Sequence, residues 1–125
     1  MGSDAYDFVG FEGADSAIEA NPDMTGNPSA TVMRTIKTEG AQFFAGTFVN
    51  LDEAIDFTSS STISVNTWSP KADVPVRLAI ENQITGNQIF VDQNTVSAST
   101  WETLNFDFSG LIDENVEYNL SLIHI

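Results

Sequence analysis

The sequence predicts a single all-β domain, a sandwich or jelly roll, and two observations support this. Apolar and polar residues alternate over several short segments, as in strands with one buried face, and no segment keeps a helical period for long. Turn signals rich in Asn, Pro, Gly and Ser separate these segments. With 125 residues, 42% of them hydrophobic, the chain is long enough to bury one core.

Eight segments carry the strand pattern. They are Tyr6–Phe11, Ser29–Lys37, Gln42–Asn50, Thr62–Trp68, Val74–Asn82, Gln88–Asp92, Trp101–Phe108 and Val116–Ile125. The clearest turn signals between them are Asn21-Pro22-Asp23, Gly26-Asn27-Pro28, Ser69-Pro70-Lys71 and Thr85-Gly86-Asn87. A short turn of helix is predicted only for Asp15–Ala20.

Alternation also predicts which side chains face the core in three of these segments. The inward sets are Ile63, Val65 and Thr67, then Val74, Val76, Leu78 and Ile80, then Leu104, Phe106 and Phe108. The outward sets are mostly polar, and they include Trp68 and Arg77. We therefore expect polar outer faces on these strands.

The charge balance argues against two classes of partner. Eighteen acidic residues face four basic ones, for a net charge of −14. Because phosphate groups are bound by neutralising Lys and Arg, neither nucleic acid nor an anionic membrane surface is expected as a partner. No apolar run approaches the length of a membrane span. The chain has no cysteine, which excludes disulfides, thiolate metal sites and Cys nucleophiles.

The residue inventory also argues against an enzyme. The single histidine, His124, lies at the end of the chain, so neither a Ser-His-Asp triad nor a His-rich zinc site is expected. Carboxylates are abundant, but no two of them form an evident glycosidase pair. A domain of this size rarely forms the long cleft that a polysaccharide hydrolase needs. We predict no catalytic activity.

Trp68, together with Asn66, Arg77 and Glu81, is the candidate binding set. Sugar rings stack their C–H faces on aromatic rings, while amide and charged groups bond to the hydroxyls. A tryptophan among polar side chains on a sheet face has this chemistry. The set predicts a glycan-binding surface.

Two residues of a neighbouring segment, Phe44 and Gln42, extend the predicted surface. The alternative is that Trp68 packs over the end of the sheet beside Pro70 and has only a structural role. Trp101 is expected in the core.

Several motifs, in this order, resemble an accessory domain of secreted polysaccharide-degrading enzymes from marine flavobacteria. The motifs are Phe11-Glu12-Gly13, Asn21-Pro22-Asp23, Thr25-Gly26-Asn27-Pro28-Ser29, Phe44-Ala45-Gly46, Leu51-Asp52, Ile55-Asp56-Phe57, Trp68-Ser69-Pro70-Lys71, Trp101-Glu102 and Phe106-Asp107-Phe108-Ser109. The resemblance implies a jelly-roll β-sandwich of about eight antiparallel strands. It also implies a secreted or cell-surface carbohydrate-binding module that targets an attached glycoside hydrolase to polysaccharide.

The first strand and the following Asn- and Gly-rich loop also suggest a structural calcium ion, which sandwich modules of this type often carry. Glu12, Asp23 and Asn27, with loop carbonyls, supply the oxygen ligands that Ca²⁺ prefers. The alternative is that Asn and Gly serve only to form the turns.

The C-terminus departs from the resemblance, and the N-terminus has a separate feature. Met1-Gly2-Ser3 has the character of a cloning leader, so the domain is expected to span residues 4–119. Residues 120–125 resemble the translation of a transposase adaptor, a non-native tail in place of a native last strand. The alternative is a genuine short terminal strand. We expect the tail to act as a strand, and the missing strand to leave an open edge. Such an edge favours a homodimer formed by strand pairing or exchange.

A second function stays open beside glycan binding. The chain has the features of a structural or adhesive spacer of a secreted multidomain protein, self-associating through the open edge. Burial of Trp68 favours the spacer, and its exposure favours the binding module.

Overall fold

The structure is a computed structural model that describes residues 8–41, 45–51 and 53–125. Within these ranges the chain is all-β, with nine strands and no helix, which confirms the predicted fold class. The strands are β1 Phe8–Phe11, β2 Ala14–Ala20, β3 Thr31–Lys37, β4 Gly46–Asn50, β5 Thr62–Trp68, β6 Pro75–Glu81, β7 Gln88–Asn94, β8 Trp101–Asp107 and β9 Leu120–His124.

All strand pairs are antiparallel, and they form three sheets. The largest has five strands in the order β1-β4-β9-β6-β7, and the other two are the pairs β2-β3 and β5-β8. Both two-stranded sheets pack against the same face of the five-stranded sheet, which we call the inner face. The result is a two-layered sandwich.

The core lies between β5-β8 and the β9, β6 and β7 part of the five-stranded sheet. Leu78 and Ile80 come from one layer, and Leu104 and Phe106 come from the other. Phe106, Phe108 and Ile80 are the largest fully buried side chains. The alternation predicted for the segments that form β6 and β8 is therefore present in the packing. Truncation of a buried Phe to Ala typically costs about 3–5 kcal/mol.

The β2-β3 hairpin is attached to the inner face by a chain of hydroxyls. The hydroxyls of Ser16 and Thr47 lie 2.5 Å apart, and Thr47 donates to Thr35 Oγ1 at 2.6 Å. Thr47 is buried, so these bonds satisfy a hydroxyl that water does not reach. The chain enters β2 through a two-residue turn in which Glu12 and Gly13 both have positive φ, 54° and 101°.

The expected turn of helix at Asp15–Ala20 is wrong, because these residues lie in β2. They pair with β3 throughout, from Asp15 opposite Ile36 to Ala20 opposite Thr31. A weak local helical preference is overridden when a neighbouring strand, here β3, completes a ladder of hydrogen bonds. The pairing contributes more than one isolated helical turn would.

Two predicted strands begin later than expected. The strand predicted from Ser29 begins at Thr31, because the preceding residues belong to a loop fastened by side chains. The strand predicted from Val116 begins at Leu120, because Val116 and Tyr118 pack into the core from a loop instead. Gln42 and Phe44 lie outside the described residues.

The suspected tail occupies the centre of the main sheet. β9 pairs with β4 on one side and with β6 on the other. The open edge expected from a missing last strand does not lie beside these residues, since β9 has a hydrogen-bonded neighbour on both sides. The edges of the five-stranded sheet are β1 and β7.

Gly46 provides a test of the β4-β9 packing. A Cβ atom at this position would lie 2.1 Å from the carbonyl oxygen of Ile123 on β9, an overlap that only backbone movement can relieve. We expect Gly46→Ala to lower the free energy of unfolding by about 1–3 kcal/mol, measured by urea denaturation.

The control is Gly40→Asn, where no atom lies within 4 Å of the added Cβ and the φ of +83° is one that Asn tolerates. It should change stability by much less. Equal stability of Gly46→Ala and the original chain would contradict the tight packing of β9 on β4.

Candidate functional site

The predicted binding set is divided between the two layers of the sandwich. Trp68 and Asn66 lie on β5, alternating with the core-packed Ile63 and Val65. Arg77 and Glu81 lie on β6, alternating with Val76, Leu78 and Ile80. Because each pair faces away from the common core, the structure does not bring the four residues together.

The outer face of β5-β8 is occupied by contacts within the protein. Trp68 lies directly opposite Trp101, and both are only half-buried. The indole N–H of Trp101 donates to the backbone carbonyl of Asp23, so the β2-β3 loop is fastened to this face. Thr103 donates to Asn66 Oδ1 at 2.8 Å. Trp101 therefore contributes to holding the loop. The expectation that Trp101 lies in the core is wrong, because it is only half-buried on the outer face of this sheet.

Trp68 itself is partly enclosed. Its indole nitrogen is buried, and among the described residues it finds no hydrogen-bond acceptor. A donor with no access to solvent cannot bond to a ligand hydroxyl unless the surroundings move. This arrangement favours a structural role for Trp68.

The other large surface is the outer face of the five-stranded sheet, which we call the outer sheet face. Strand register places its side chains in rows that run across the strands. One row is Val9, Phe48, Leu122, Ala79 and Phe90, and the next is Phe11, Gly46, His124, Arg77 and Asp92. A third consists of Asn50, Leu120, Glu81 and Gln88. The face is thus an apolar row between two rows that contain polar groups.

One side of the outer sheet face is an aromatic cluster. The ring of Phe11 lies 5.9 Å from that of Phe48 and 5.6 Å from that of His124, the latter edge to face. Phe11 and His124 stand on strands that are not neighbours, and they meet across Gly46 of the intervening β4. The absence of a side chain at Gly46 leaves room for this contact.

On the other side, Arg77 is held between two partners. Its guanidinium carbon lies 3.8 Å from the centre of the Phe90 ring, a cation–π contact. Its Nε and Nη2 atoms donate to the two Asp92 oxygens at 2.7 and 3.0 Å. The hydrogen bonds and charge of Arg77 lower the pKa of Asp92, and those of Asp92 raise the pKa of Arg77. Phe90 nonetheless remains 45% exposed.

Sequence reasoning missed the aromatic part of this surface. Phe90 lies between Gln88 and Asp92 in β7, so alternation alone placed it on the polar side of its strand. That pattern was a usable signal, because a large aromatic residue at an outward position is informative. Phe11, Phe48 and His124 gave no such signal, since their meeting depends on the order of β1, β4 and β9 in the sheet.

The three proposed calcium ligands are not brought together. Glu12 precedes β2 and Asp23 follows it, and the seven residues of β2 span about 20 Å. Asp23 Oδ1 and Asn27 Oδ1 accept hydrogen bonds from the backbone N–H groups of Thr25 and Ser29, at 2.9 and 3.1 Å. These oxygens therefore contribute to the shape of the loop.

Comparison of the chain with known protein families, with curated proteins and with solved structures finds no match. The surface must therefore be interpreted from its own chemistry. Among the residues that the structure describes, no group of three or more His, Cys, Asp or Glu side chains is arranged to hold a metal ion. Within those same ranges, no helix is long and apolar enough to cross a membrane.

The two tryptophans offer a matched pair of substitutions. Trp101→Phe removes the donor to the Asp23 carbonyl and should lower the free energy of unfolding by about 1–2 kcal/mol. Trp68→Phe removes a buried donor that has no acceptor among the described residues, so it should cost less. Urea denaturation of the two variants compares these costs, and a greater cost for Trp68→Phe would contradict the assignment.

The Arg77–Asp92 pair should stabilise the protein only at pH values where Asp92 is ionised. Because the pKa of Asp92 is lower in the folded chain, the contribution is full above the unfolded pKa and is lost as the pH falls through the folded pKa. Asp92→Asn should therefore cost less than about 1 kcal/mol at pH 7, since both partners are exposed.

The measurement is the difference in unfolding free energy between the original chain and Asp92→Asn, followed from pH 7 to pH 2.5. It should shrink towards acid pH. Glu114→Gln, at an exposed loop position, is the control and should show no such trend. A difference that grows at acid pH would contradict the ion pair.

Proposed function

We propose that this chain is a noncatalytic carbohydrate-binding module and that polysaccharide lies along the outer sheet face. The observation that carries this is Phe90, a large aromatic residue left 45% exposed on a sheet face beside hydrogen-bonding groups. The part of the ring that the Arg77 guanidinium does not cover presents a surface for the C–H face of a sugar. Arg77 and Asp92 beside it offer donors and acceptors to the sugar hydroxyls.

The dimensions of the outer sheet face suit an extended ligand. Five strands give four spacings of about 4.8 Å, so the face is about 19 Å wide. Both two-stranded sheets pack on the inner side, and Val9 at the opposite edge from Phe90 is 44% exposed. A glycan of several sugar units therefore has room to lie across the strands.

The Arg77–Asp92 pair also fits binding better than catalysis. A glycosidase needs a carboxyl group that stays protonated long enough to act as a general acid. Arg77 lowers the pKa of Asp92 and so favours the ionised form. The ion pair instead holds the guanidinium in place over Phe90. Because these side chains are already ordered, they would lose little conformational entropy when a ligand binds.

In this proposal the module holds an attached hydrolase against its polysaccharide outside the cell, and the sandwich has the jelly-roll character that the sequence motifs suggest. Trp68 takes no part in binding. The enclosure of Trp68 is also what a structural spacer would show, so the spacer is the second candidate. The two differ in whether the outer sheet face has a ligand.

The test is affinity electrophoresis of the purified chain through gels that contain neutral or anionic polysaccharides. We expect retardation by at least one of them and its loss in Phe90→Ala. Burial of a Phe ring against a ligand contributes about 1.5–3 kcal/mol, which corresponds to about tenfold or more in affinity. Phe90→Tyr keeps the ring and should keep the retardation.

The control is Val96→Ala, which removes another exposed apolar side chain, 80% exposed, from a loop away from the outer sheet face. It should bind like the original chain. Retardation that survives Phe90→Ala but is lost in Trp68→Ala would move the site to the other layer. No retardation by any polysaccharide would favour the spacer.

A further inference from the structure

A polar cleft lies at one end of the sandwich, apart from the outer sheet face. It has a volume of about 270 Å³ and lies between the β6-β7 turn and the loop that leads into β9. Its lining consists of three amide side chains, a hydroxyl, a carboxylate and one aliphatic group. These belong to Asn82, Asn87, Asn115, Thr85, Glu117 and Val116.

The two walls of the cleft are tied together by one side chain. The amide nitrogen of Asn82 donates to the carbonyl oxygen of Glu117 at 2.7 Å, which joins the β6-β7 turn to the opposite loop. The amide oxygen of Asn82 accepts hydrogen bonds from the backbone N–H groups of Ile84 and Thr85, at 2.9 and 2.8 Å. Asn82 therefore serves as a brace, and the cleft exists before any ligand arrives.

Other polar groups of the lining remain open to a ligand. Among the described residues, the side-chain amides of Asn87 and Asn115 and the carboxylate of Glu117 make no hydrogen bond or ion pair within the chain, so they can exchange water for ligand hydroxyls. Within the lining these amides lie beside the aliphatic side chain of Val116. Amides beside an aliphatic group match the alternating hydroxyl and C–H character of a sugar.

The charge of the cleft selects among sugars. None of the residues that line it is Lys, Arg or His, and Glu117 is its only ionisable side chain. A sulfate or uronate group placed here would face that carboxylate without a compensating cation. Elsewhere, Arg34 and Arg77 are already engaged with carboxylates, at 2.8 and 2.7 Å. The cleft therefore suits a neutral saccharide.

We infer that this cleft binds the terminal residue of a neutral glycan chain. The inference rests on the proposed glycan-binding function and adds to it a second subsite and a class of ligand. The size supports an end rather than a passing chain, because about 270 Å³ lies just below the roughly 300–1,000 Å³ of pockets for drug-sized ligands. The cleft thus has room for one or two sugar rings.

The experiment is a titration of the full chain with short neutral oligosaccharides, followed by amide chemical shifts and by calorimetry. Shifts should concentrate at Asn87 and Asn115. Asn115→Ala should weaken binding by about threefold to tenfold, the effect of one or two lost hydrogen bonds. Glu114→Ala, one residue away but outside the cleft lining, is the control and should bind like the original chain.

Substitution of Asn82 would not serve as the test. It would remove the hydrogen bonds that join the two walls of the cleft, so weaker binding could result from the altered shape alone. Oligosaccharide affinity unchanged in Asn115→Ala, or tighter binding of sulfated oligosaccharides, would overturn the inference. Polysaccharide retardation that depends on Phe90, with no shifts at the cleft, would overturn the cleft alone and leave the proposed function standing. Shifts at the cleft without any retardation would overturn binding at the outer sheet face and leave binding at the cleft standing.

Discussion

The pairing of β9 on both of its edges is the interaction on which the rest of the structure depends. β9 joins the β1-β4 ribbon to the β6-β7 ribbon, and without it the five-stranded sheet would be two separate pairs. An isolated two-stranded ribbon is at best marginally stable in water. Ile123 packs against the core on one side of β9, and Leu122 lies on the outer sheet face on the other. One strand thus contributes to both the core and the candidate surface.

The two outer faces of the sandwich differ in the contacts that the described residues make on them. On β5-β8, the β2-β3 loop reaches Trp101, and the polar side chains bond to one another. On the five-stranded sheet, the same kind of alternating strand leaves Phe90 exposed, with Arg77 fixed above it by Asp92. Among the residues that the structure describes, Phe90 on the second surface is exposed and is not bonded to a loop, which supports the ligand site proposed there.

Much of the fold was predictable, and less of the site. Alternation identified β5, β6 and β8 and their buried sides, because burial of one face imposes a period of two. It failed at Asp15–Ala20, where pairing with β3 outweighs local preference. For the site, alternation correctly marked Arg77 and Glu81 as outward-facing, but the prediction grouped them with Trp68, which lies in the other layer of the sandwich. A pattern along one strand shows which residues share a side of it, but not which layer of the sandwich the strand joins.

The sequence by itself determined the all-β class, the acidic surface and the inward faces of the central strands, because composition and periodicity are properties of the chain alone. Only the tertiary structure decided that Leu120–His124 lies at the centre of a sheet and that the indole nitrogen of Trp68 is buried. It also decided that Phe11 and His124 meet across Gly46. These features depend on strand order, and strand order is set by how separate segments bury their apolar faces together, which no single segment encodes.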